Sequence, residues 1–283
     1  MKRITLFITI LALALLTPIA NQMQAGATAV AGNSPVAGPV QKPRGDELTE
    51  EFHQSYPLSP TGRVHISNIN GDVHINVWDQ NSVKVDAVKR AYSQQRLSEA
   101  TIDVTNTEDS VKIKTNYPQN RTYGGNGDNS AASVEYTLTV PRGARLQGAE
   151  LVNGSLDLEG LQGDVNASLV NGAVKAERLG GAVKLSTVNG RIAVNASGLE
   201  NAKGVALNSV NGAIELVVPS GAGASVEAST IHGPITNDFG LIEEKGQYVG
   251  RNLSGQIGSG GPKVKLNNVN GSINIKRGGG MEM

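Results

Sequence analysis

The sequence predicts an all-β fold: a β-solenoid of about 18–22-residue coils, preceded by a β-rich capping region. From Leu151 onward, glycine recurs every nine residues, at positions 154, 163, 172, 181 and 190. An aliphatic residue lies two positions before each of these glycines, and others lie two and four positions after it. Asparagine precedes every second glycine, so the full repeat has 18 residues in two similar halves.

The same element recurs outside this regular run, with looser spacing. Val210-Asn211-Gly212 follows 22 residues later, and Ile231-His232-Gly233 comes 21 residues after that. Further copies are Val269-Asn270-Gly271 and, near the start, Ile69-Asn70-Gly71. Stacked coils would align the asparagines in a hydrogen-bonded column, as amide ladders do in cross-β structures. The residues predicted to form this structural ladder are Asn153, Asn171, Asn189, Asn211, His232 and Asn270.

An antiparallel β-meander is the alternative arrangement, because Asn-Gly is also the strongest short signal for a type I′ hairpin. In a solenoid, each coil instead lays one strand on each of two sheets, and coils stack about 4.8 Å apart. The solenoid is favoured because it explains why asparagine recurs in only one of the two half-repeats. Glycine beside the column would then allow positive φ or close backbone approach at the corner. The repeats are predicted to span residues 142–276, followed by a tail at 277–283.

The chain before the repeats divides into three segments. Lys2 and Arg3 precede an apolar run from Ile4 to Leu16, which is followed by Pro18 and the small-residue sequence Ala25-Gly26-Ala27. This layout predicts a signal peptide over residues 1–27. The apolar run is shorter than the roughly 20 residues that a membrane span needs. Residues 28–46 are rich in Ala, Gly and Pro and predict a flexible linker.

Residues 47–141 are predicted to form the N-terminal β-rich part. Residues 94–100 are compatible with one or two helical turns, and residues 116–130 predict a loop because they contain Pro118 and three glycines. Apolar residues at every second position predict strands at 63–67, 72–77, 82–88, 101–105, 110–115 and 133–140.

The composition limits the chemistry that the chain can perform. It has 25 basic and 25 acidic residues, and a net charge of zero argues against a nucleic-acid partner. The chain has no cysteine, which excludes disulfides, thiolate metal sites and a cysteine nucleophile. We therefore expect no cofactor, no metal, no nucleic acid and no membrane span once the signal peptide is removed.

No catalytic motif stands out along the chain. The four histidines, His53, His65, His74 and His232, do not have HExxH-type spacing. Asp157, Glu159 and Asp164 are close in sequence, but repeat positions predict that they lie on a solvated outer face and do not form a glycosidase pair. Trp78 is predicted to be a core or cap residue. Segment 237–262 departs most from the repeat, and we favour an edge-covering excursion there over a binding loop.

Three stretches of the sequence carry a family resemblance. Residues Ile69 to Asp79 are similar to the opening of the bacterial putative-adhesin domain family, which has no assigned function. The Val-Asn-Gly units look like the body of that domain, and residues 257–261 followed by 269–273 look like its closing segment. The resemblance covers about residues 50–276. It implies an extracytoplasmic β-solenoid and supplies no catalytic residues.

The sequence therefore predicts an exported, non-catalytic structural or interaction module, adhesin-like, at the cell envelope. Periplasm, cell surface and secretion are all compatible with it. The expected partner is an envelope protein or a surface glycan. Two alternatives stay open: an accessory of envelope-stress or signalling machinery that binds a membrane partner, and a carbohydrate-active enzyme on a β-helix.

Overall fold

The computed structural model describes residues 46–118, 130–196, 203–246 and 250–278. The predicted signal peptide at 1–27 lies outside the described residues, as does all but the last residue of the predicted linker. Most of the loop predicted at 116–130 and of the tail predicted at 277–283 also lies outside them.

The described residues form two large mixed β-sheets and one short helix, which confirms the all-β prediction. Sheet A contains β1 (Leu48–Pro57), β3 (Val73–Trp78), β4 (Ser82–Ala91), β7 (Ser133–Pro141), β9 (Leu156–Glu159), β11 (Val174–Glu177), β13 (Ile192–Asn195), β15 (Ile214–Pro219), β17 (Ile235–Asn237) and β21 (Ile273–Gly278). Sheet B contains β2 (Arg63–Asn70), β5 (Thr101–Thr107), β6 (Ser110–Asn116), β8 (Arg145–Asn153), β10 (Val165–Asn171), β12 (Ala182–Asn189), β14 (Gly204–Asn211), β16 (Ala224–His232), β18 (Glu243–Lys245), β19 (Arg251–Ile257) and β20 (Lys263–Asn270).

Consecutive strands of the repeat alternate between the two sheets. Strands β8, β10, β12 and β14 lie side by side in sheet B, and β9, β11, β13 and β15 lie side by side in sheet A. All of these neighbours pair in parallel. The antiparallel meander is therefore wrong for these strands. Each Asn-Gly lies where the chain leaves sheet B for sheet A, and it does not close a hairpin.

The strand register follows the 18-residue period. Val165 pairs with Val183 and Asn171 with Asn189, so each residue lies beside its equivalent one repeat later. Asn189 also pairs with Asn211, although 22 residues separate them. The extra residues must therefore fall between β13 and β14, where residues 197–202 are outside the described part of the chain.

The last two strands do not stack at the end of the sheets. Strand β20 lies between β14 and β16, and β21 lies between β15 and β17, although both follow β16 and β17 in the chain. Asn270 consequently pairs with Asn211 on one side and with His232 on the other. Strands β18 and β19 then continue sheet B beyond β16 with antiparallel pairing.

The N-terminal strands extend both sheets at the opposite end. Strand β7 joins β3 in parallel, and β4 and β1 add to it antiparallel. In sheet B, β6 pairs with β2 in parallel and β5 adds to β6 antiparallel. A helix, α1 (Gln94–Glu99), follows Ser93, whose hydroxyl accepts a hydrogen bond from the Arg96 amide at 3.4 Å. The predicted strands and the helical turns at 94–100 are confirmed.

A single hydrophobic cluster fills the core, and small aliphatic side chains dominate it. Alternation along each strand sends every second residue inward, as for Val183 and Leu185 in β12. Tyr136 is the large exception, fully buried with its hydroxyl 2.7 Å from the Thr115 hydroxyl. Burial raises the pKa of Tyr136 to about 12, so it stays protonated. Trp78 is half-buried, and its indole donates to the Ser82 carbonyl oxygen at 2.8 Å.

Strand β1 is held to β4 by a pH-sensitive contact. His53 Nδ1 lies 2.7 Å from Asp86 Oδ1, and its Nε2 lies 3.1 Å from Glu51 Oε2. The hydrogen bond to Asp86, and then that to Glu51, raises the pKa of His53 above its ordinary 6.5. Burial works to raise the pKa of Asp86, but hydrogen bonds from Lys84 and His53 leave it lowered below 3.8.

The pKa shifts of His53 and Asp86 predict a pH range in which the contact between β1 and β4 is most stable. The His53 contribution is present below its unfolded pKa and is lost as pH rises through the raised pKa. The Asp86 contribution is present above its unfolded pKa and is lost as pH falls through the lowered pKa. We therefore expect β1 amides, corrected for intrinsic rates, to exchange more slowly at about pH 5.5 than at about pH 8.5. His53→Gln should abolish this difference; an undiminished difference would contradict the assignment.

Candidate interaction surface

The asparagines of the repeat form one column that runs across sheet B at the C-terminal ends of its strands. Each side-chain Nδ2 donates to Oδ1 of the previous asparagine in the stack, as from Asn171 to Asn153 at 2.9 Å and from Asn189 to Asn171 at 2.8 Å. The column in spatial order is Asn70, Asn153, Asn171, Asn189, Asn211 and Asn270. Five of the six predicted ladder residues are thus joined, together with Asn70. His232 lies next in register, beside Asn270, but the described amide-to-amide bonds end at Asn270.

Glycine follows each asparagine because neighbouring backbones approach closely there. A Cβ on Gly172 would lie 2.0 Å from the carbonyl oxygen of Gly154, and one on Gly190 would lie 1.9 Å from that of Gly172. At Gly212 and Gly271 the φ angle is also positive, at 146° and 149°. Close backbone approach and positive φ, the two expected reasons for glycine at this corner, therefore both occur in the column.

A second, buried polar column accompanies the asparagines and was not predicted from the sequence. Thr187 donates to the Gly172 carbonyl oxygen at 3.1 Å, and Asn268 donates to that of Gly212 at 2.7 Å. The buried members are Asn68, Thr187, Ser209, Thr230 and Asn268. All lie two positions before the Asn slot, which is polar in five of seven copies. That repetition was the signal available in the sequence.

The aliphatic residue before each asparagine faces solvent. In the alternate half-repeats, the equivalent residues Leu161 and Leu179 are 1% and 4% exposed, whereas Val170 and Val188 are 41% and 40% exposed. We call the exposed column the aliphatic stripe. In spatial order it consists of Ile69, Val152, Val170, Val188, Val210, Val269 and Ile231, of which Val269 is half-buried.

A groove of about 500 Å³ lies on the outer face of sheet B, and four valines of the aliphatic stripe form part of its lining. Its outward-facing lining alternates between hydroxyl or amide side chains and the valines of the stripe, and none of its lining residues is charged. Asn267 donates to Asn208 at 2.9 Å, and Ser229 donates to Asn267 at 3.3 Å. We call this the neutral groove.

A second groove, of about 640 Å³, crosses β8, β10, β12, β14 and β20 near their N-terminal ends. Asp164 is its one acidic lining residue; its Oδ1 accepts from the Ala182 amide at 3.0 Å and from Lys203 at 3.4 Å. The amide hydrogen bond, aided by Lys203 and Arg145, lowers the pKa of Asp164 despite partial burial. Its cationic lining residues are Arg145, Lys184, Lys263 and Lys265. We call this the basic groove.

The outer face of sheet A has a different character, because its charges are paired. Lys175 lies 2.9 Å from Glu177, His74 lies 3.0 Å from Asp157, and Arg178 pairs with Glu159. All of these groups except Arg178 line a cleft of about 340 Å³. Asp157 and Glu159 thus lie on sheet A and Asp164 on sheet B, so the three acids do not form one site. Among the described residues, no group of three or more His, Asp or Glu is arranged to hold a metal ion.

The segment that departs from the repeat covers strand edges. Asn237 holds a tight turn by donating to the Leu241 carbonyl oxygen at 2.9 Å and accepting from the Leu241 amide at 2.8 Å. The Asp238 carboxylate accepts from the Arg277 amide at 2.9 Å, where β17 has ended and β21 continues. Within the described residues, these contacts agree with an edge-covering excursion.

Comparison with known proteins gives a partial match. The model of the family described as Toastrack DUF4097 matches residues 150–276, a narrower range than the predicted resemblance. No curated protein matches the chain. Among the helices that the structure describes, none is long and apolar enough to cross a membrane.

Several solved structures match this chain at low identity and with TM-scores below 0.5. A putative cell adhesion protein from Clostridium sporogenes is 16% identical, with a TM-score of 0.48 over 81% of this chain and 100% of that one. A putative adhesin from Bacteroides fragilis is 13% identical, with a TM-score of 0.36 over 81% and 97%. A putative lipid binding protein from Parabacteroides distasonis is 11% identical, with a TM-score of 0.33 over 83% and 98%.

Proposed function

We propose that this chain, similar over residues 150–276 to the Toastrack family, is an exported, adhesin-like interaction module of the cell envelope without catalytic activity. It would bind an envelope protein or a surface glycan through the outer face of sheet B. Export rests on the signal peptide predicted at residues 1–27, and the site of action would be the periplasm, the cell surface or the medium.

The observation that carries this proposal is the contrast between the two outer sheet faces. On sheet A, side chains such as Lys175 and Arg178 already have partners within the protein. On sheet B, two grooves and an exposed aliphatic stripe run across several stacked strands. Exposed apolar patches bordered by polar groups are typical of interaction sites. A long ligand could therefore make the same weak contact repeatedly along the stack.

We further propose that the strand pairs from β8–β9 to β14–β15 are coils of a β-solenoid, and that the asparagine column is structural. Alternation between sheets and parallel registers support this arrangement. Asn171→Ala should then lower the free energy of unfolding by about 0.5–1.5 kcal/mol, because it breaks two amide hydrogen bonds in the column. Chemical denaturation measures this. Asn76→Ala, at an exposed position outside the column, is the control; equal losses from both would contradict the structural role.

The function can be tested with full-length protein produced in bacteria and recovered from each cell fraction. The protein should be recovered from an extracytoplasmic fraction. After purification, it should bind whole cells saturably. Ser186→Glu, on the outer face of sheet B, should reduce this binding, whereas Ala193→Glu, on the outer face of sheet A, should not. Equal binding by both variants would remove sheet B as the interaction surface.

Other outcomes would favour the alternatives. Cross-linking in intact envelopes to one inner-membrane protein, without binding to cells or glycans, would support a signalling accessory. Release of new reducing ends from a polysaccharide would support a carbohydrate-active enzyme. Asp157 and Glu159, in the cleft on sheet A, would then be the first residues to replace.

A further inference from the structure

The basic groove concentrates positive charge in a protein whose formal net charge is zero. Arg145, Lys184, Lys263 and Lys265 line it, and Lys203 stands beside it at Asp164. Among the described residues, the ion pairs of these five cations involve two carboxylates: Asp164 inside the groove and Glu227 on the neighbouring strand β16. The electrostatic potential at the groove is therefore positive, although acidic residues elsewhere in the chain bring the net charge to zero.

The cations of the groove are incompletely neutralised by the protein itself. Glu227 is shared, with Lys263 Nζ at 3.2 Å and Lys265 Nζ at 3.9 Å. Among the described residues, the structure gives no acidic partner within 4.0 Å to Arg145 or Lys184. On sheet A, Lys276 and Arg191 also share one carboxylate, that of Glu215, but each of these two cations has that partner, unlike Arg145 and Lys184. The difference points to an external anion at the basic groove.

The spread of the cations selects the size of that anion. Arg145 lies on β8 and Lys265 on β20, with β10, β12 and β14 between them. Four strand spacings of about 4.8 Å place their strands about 19 Å apart. A small anion cannot span this distance, whereas a linear polymer with several charges can. The lysine side chains of the groove point outward, because side chains alternate along a strand and the neighbouring Val183, Leu185 and Val264 are buried.

We propose that the basic groove binds a linear polyanion, a carboxylated or phosphate-containing polymer of the cell surface, lying across strands β8 to β20. This inference rests on the proposed function and names the ligand class for one part of the same face. Nucleic acid is disfavoured because no aromatic side chain lines the groove, and aromatic stacking on bases is a main source of single-strand binding.

The test measures binding of the full chain to polymers of defined charge. The probes are polygalacturonate for carboxylates, polyphosphate for phosphates, neutral dextran, and a single-stranded oligonucleotide. We expect polygalacturonate, polyphosphate or both to bind, with affinity falling steeply as salt rises, because screening shortens the reach of exposed charges. Dextran should not bind. Preference for one charged polymer identifies which of the two sources of negative charge fits the groove.

Charge reversal locates the binding. Lys184→Glu should weaken polyanion affinity at least about tenfold, because it replaces an attractive contact at the centre of the groove by a repulsive one. Lys175→Glu makes the same change on sheet A and should leave the affinity within about twofold. Both lysines are exposed, and thermal unfolding of each variant shows that it is folded.

The failures of the two proposals are distinguishable. Saturable binding to cells that neither polyanion competes for, and that Lys184→Glu leaves intact, would overturn the polyanion while keeping the interaction module. Binding of the oligonucleotide alone, or equal loss from both lysine variants, would also overturn it. Absence of binding to cells and to every probe would remove both proposals.

Discussion

Replacing Gly172 by alanine is expected to destabilise the protein by about 3 kcal/mol or more, or to prevent folding. The added Cβ would lie 2.0 Å from the carbonyl oxygen of Gly154 and 2.6 Å from its carbonyl carbon. No side chain can move to relieve this contact, because both atoms belong to the backbone of the adjacent strand pair. The parallel strands would have to separate where Asn171 hydrogen-bonds to Asn153.

Gly221 provides the matched control for this substitution. It lies in the turn between β15 and β16, and a Cβ there would contact nothing within 4 Å. Gly221→Ala should therefore change the free energy of unfolding by less than about 0.5 kcal/mol. Urea denaturation of both variants gives the comparison. If Gly172→Ala were as stable as Gly221→Ala, the close packing of the glycine column would be wrong.

Leu185→Ala is expected to cost about 2–5 kcal/mol of folding stability, because it removes a fully buried side chain from the core. Val188, three residues later on the same strand, is 40% exposed in the aliphatic stripe. Val188→Ala should cost less than about 1 kcal/mol, mostly through lower β-propensity. The pair therefore tests which of two aliphatic columns supports the fold.

Denaturation midpoints at constant slope give both free energies. Cell-binding assays on Val188→Ala then test whether the aliphatic stripe contributes to recognition, which stability measurements do not show. A variant with near-normal stability and weaker cell binding would assign the stripe to recognition. A loss of stability equal to that of Leu185→Ala would mean that Val188 is buried, which contradicts its position in the structure.

Much of the fold was predictable because its period is explicit in the chain. Glycine every nine residues and asparagine every eighteen fixed the registers that pair Val165 with Val183 and Asn171 with Asn189. Alternation located the N-terminal strands β2 to β7 in the same way, whereas β1 was not predicted. The placement of β20 and β21 was not predictable. Each Val-Asn-Gly copy offers the same register, so the sequence does not specify which copies become neighbours.

The interaction surface was less accessible to sequence reasoning. Val188 and Leu179 occupy equivalent positions of their half-repeats, yet one is exposed and the other is buried. Thr187 is an interior residue because the Gly172 carbonyl oxygen satisfies its hydroxyl, a partner that lies 15 residues away in the chain. The basic groove combines Arg145, Lys184 and Lys265 from three separate repeats. Such sites depend on stacking, which a local pattern does not encode.

The order of the strands in space has a consequence for synthesis. Residues 263–278 are the last described part of the chain to emerge from the ribosome, yet they lie between strands made earlier. A nascent chain could stack β16 directly on β14, since His232 and Asn270 occupy the same slot of the repeat. That early arrangement must open again to admit β20. We therefore expect the strands β16 and β17 to reach their final neighbours only after residues 263–278 have been synthesised, so that the order of folding differs from the order of synthesis.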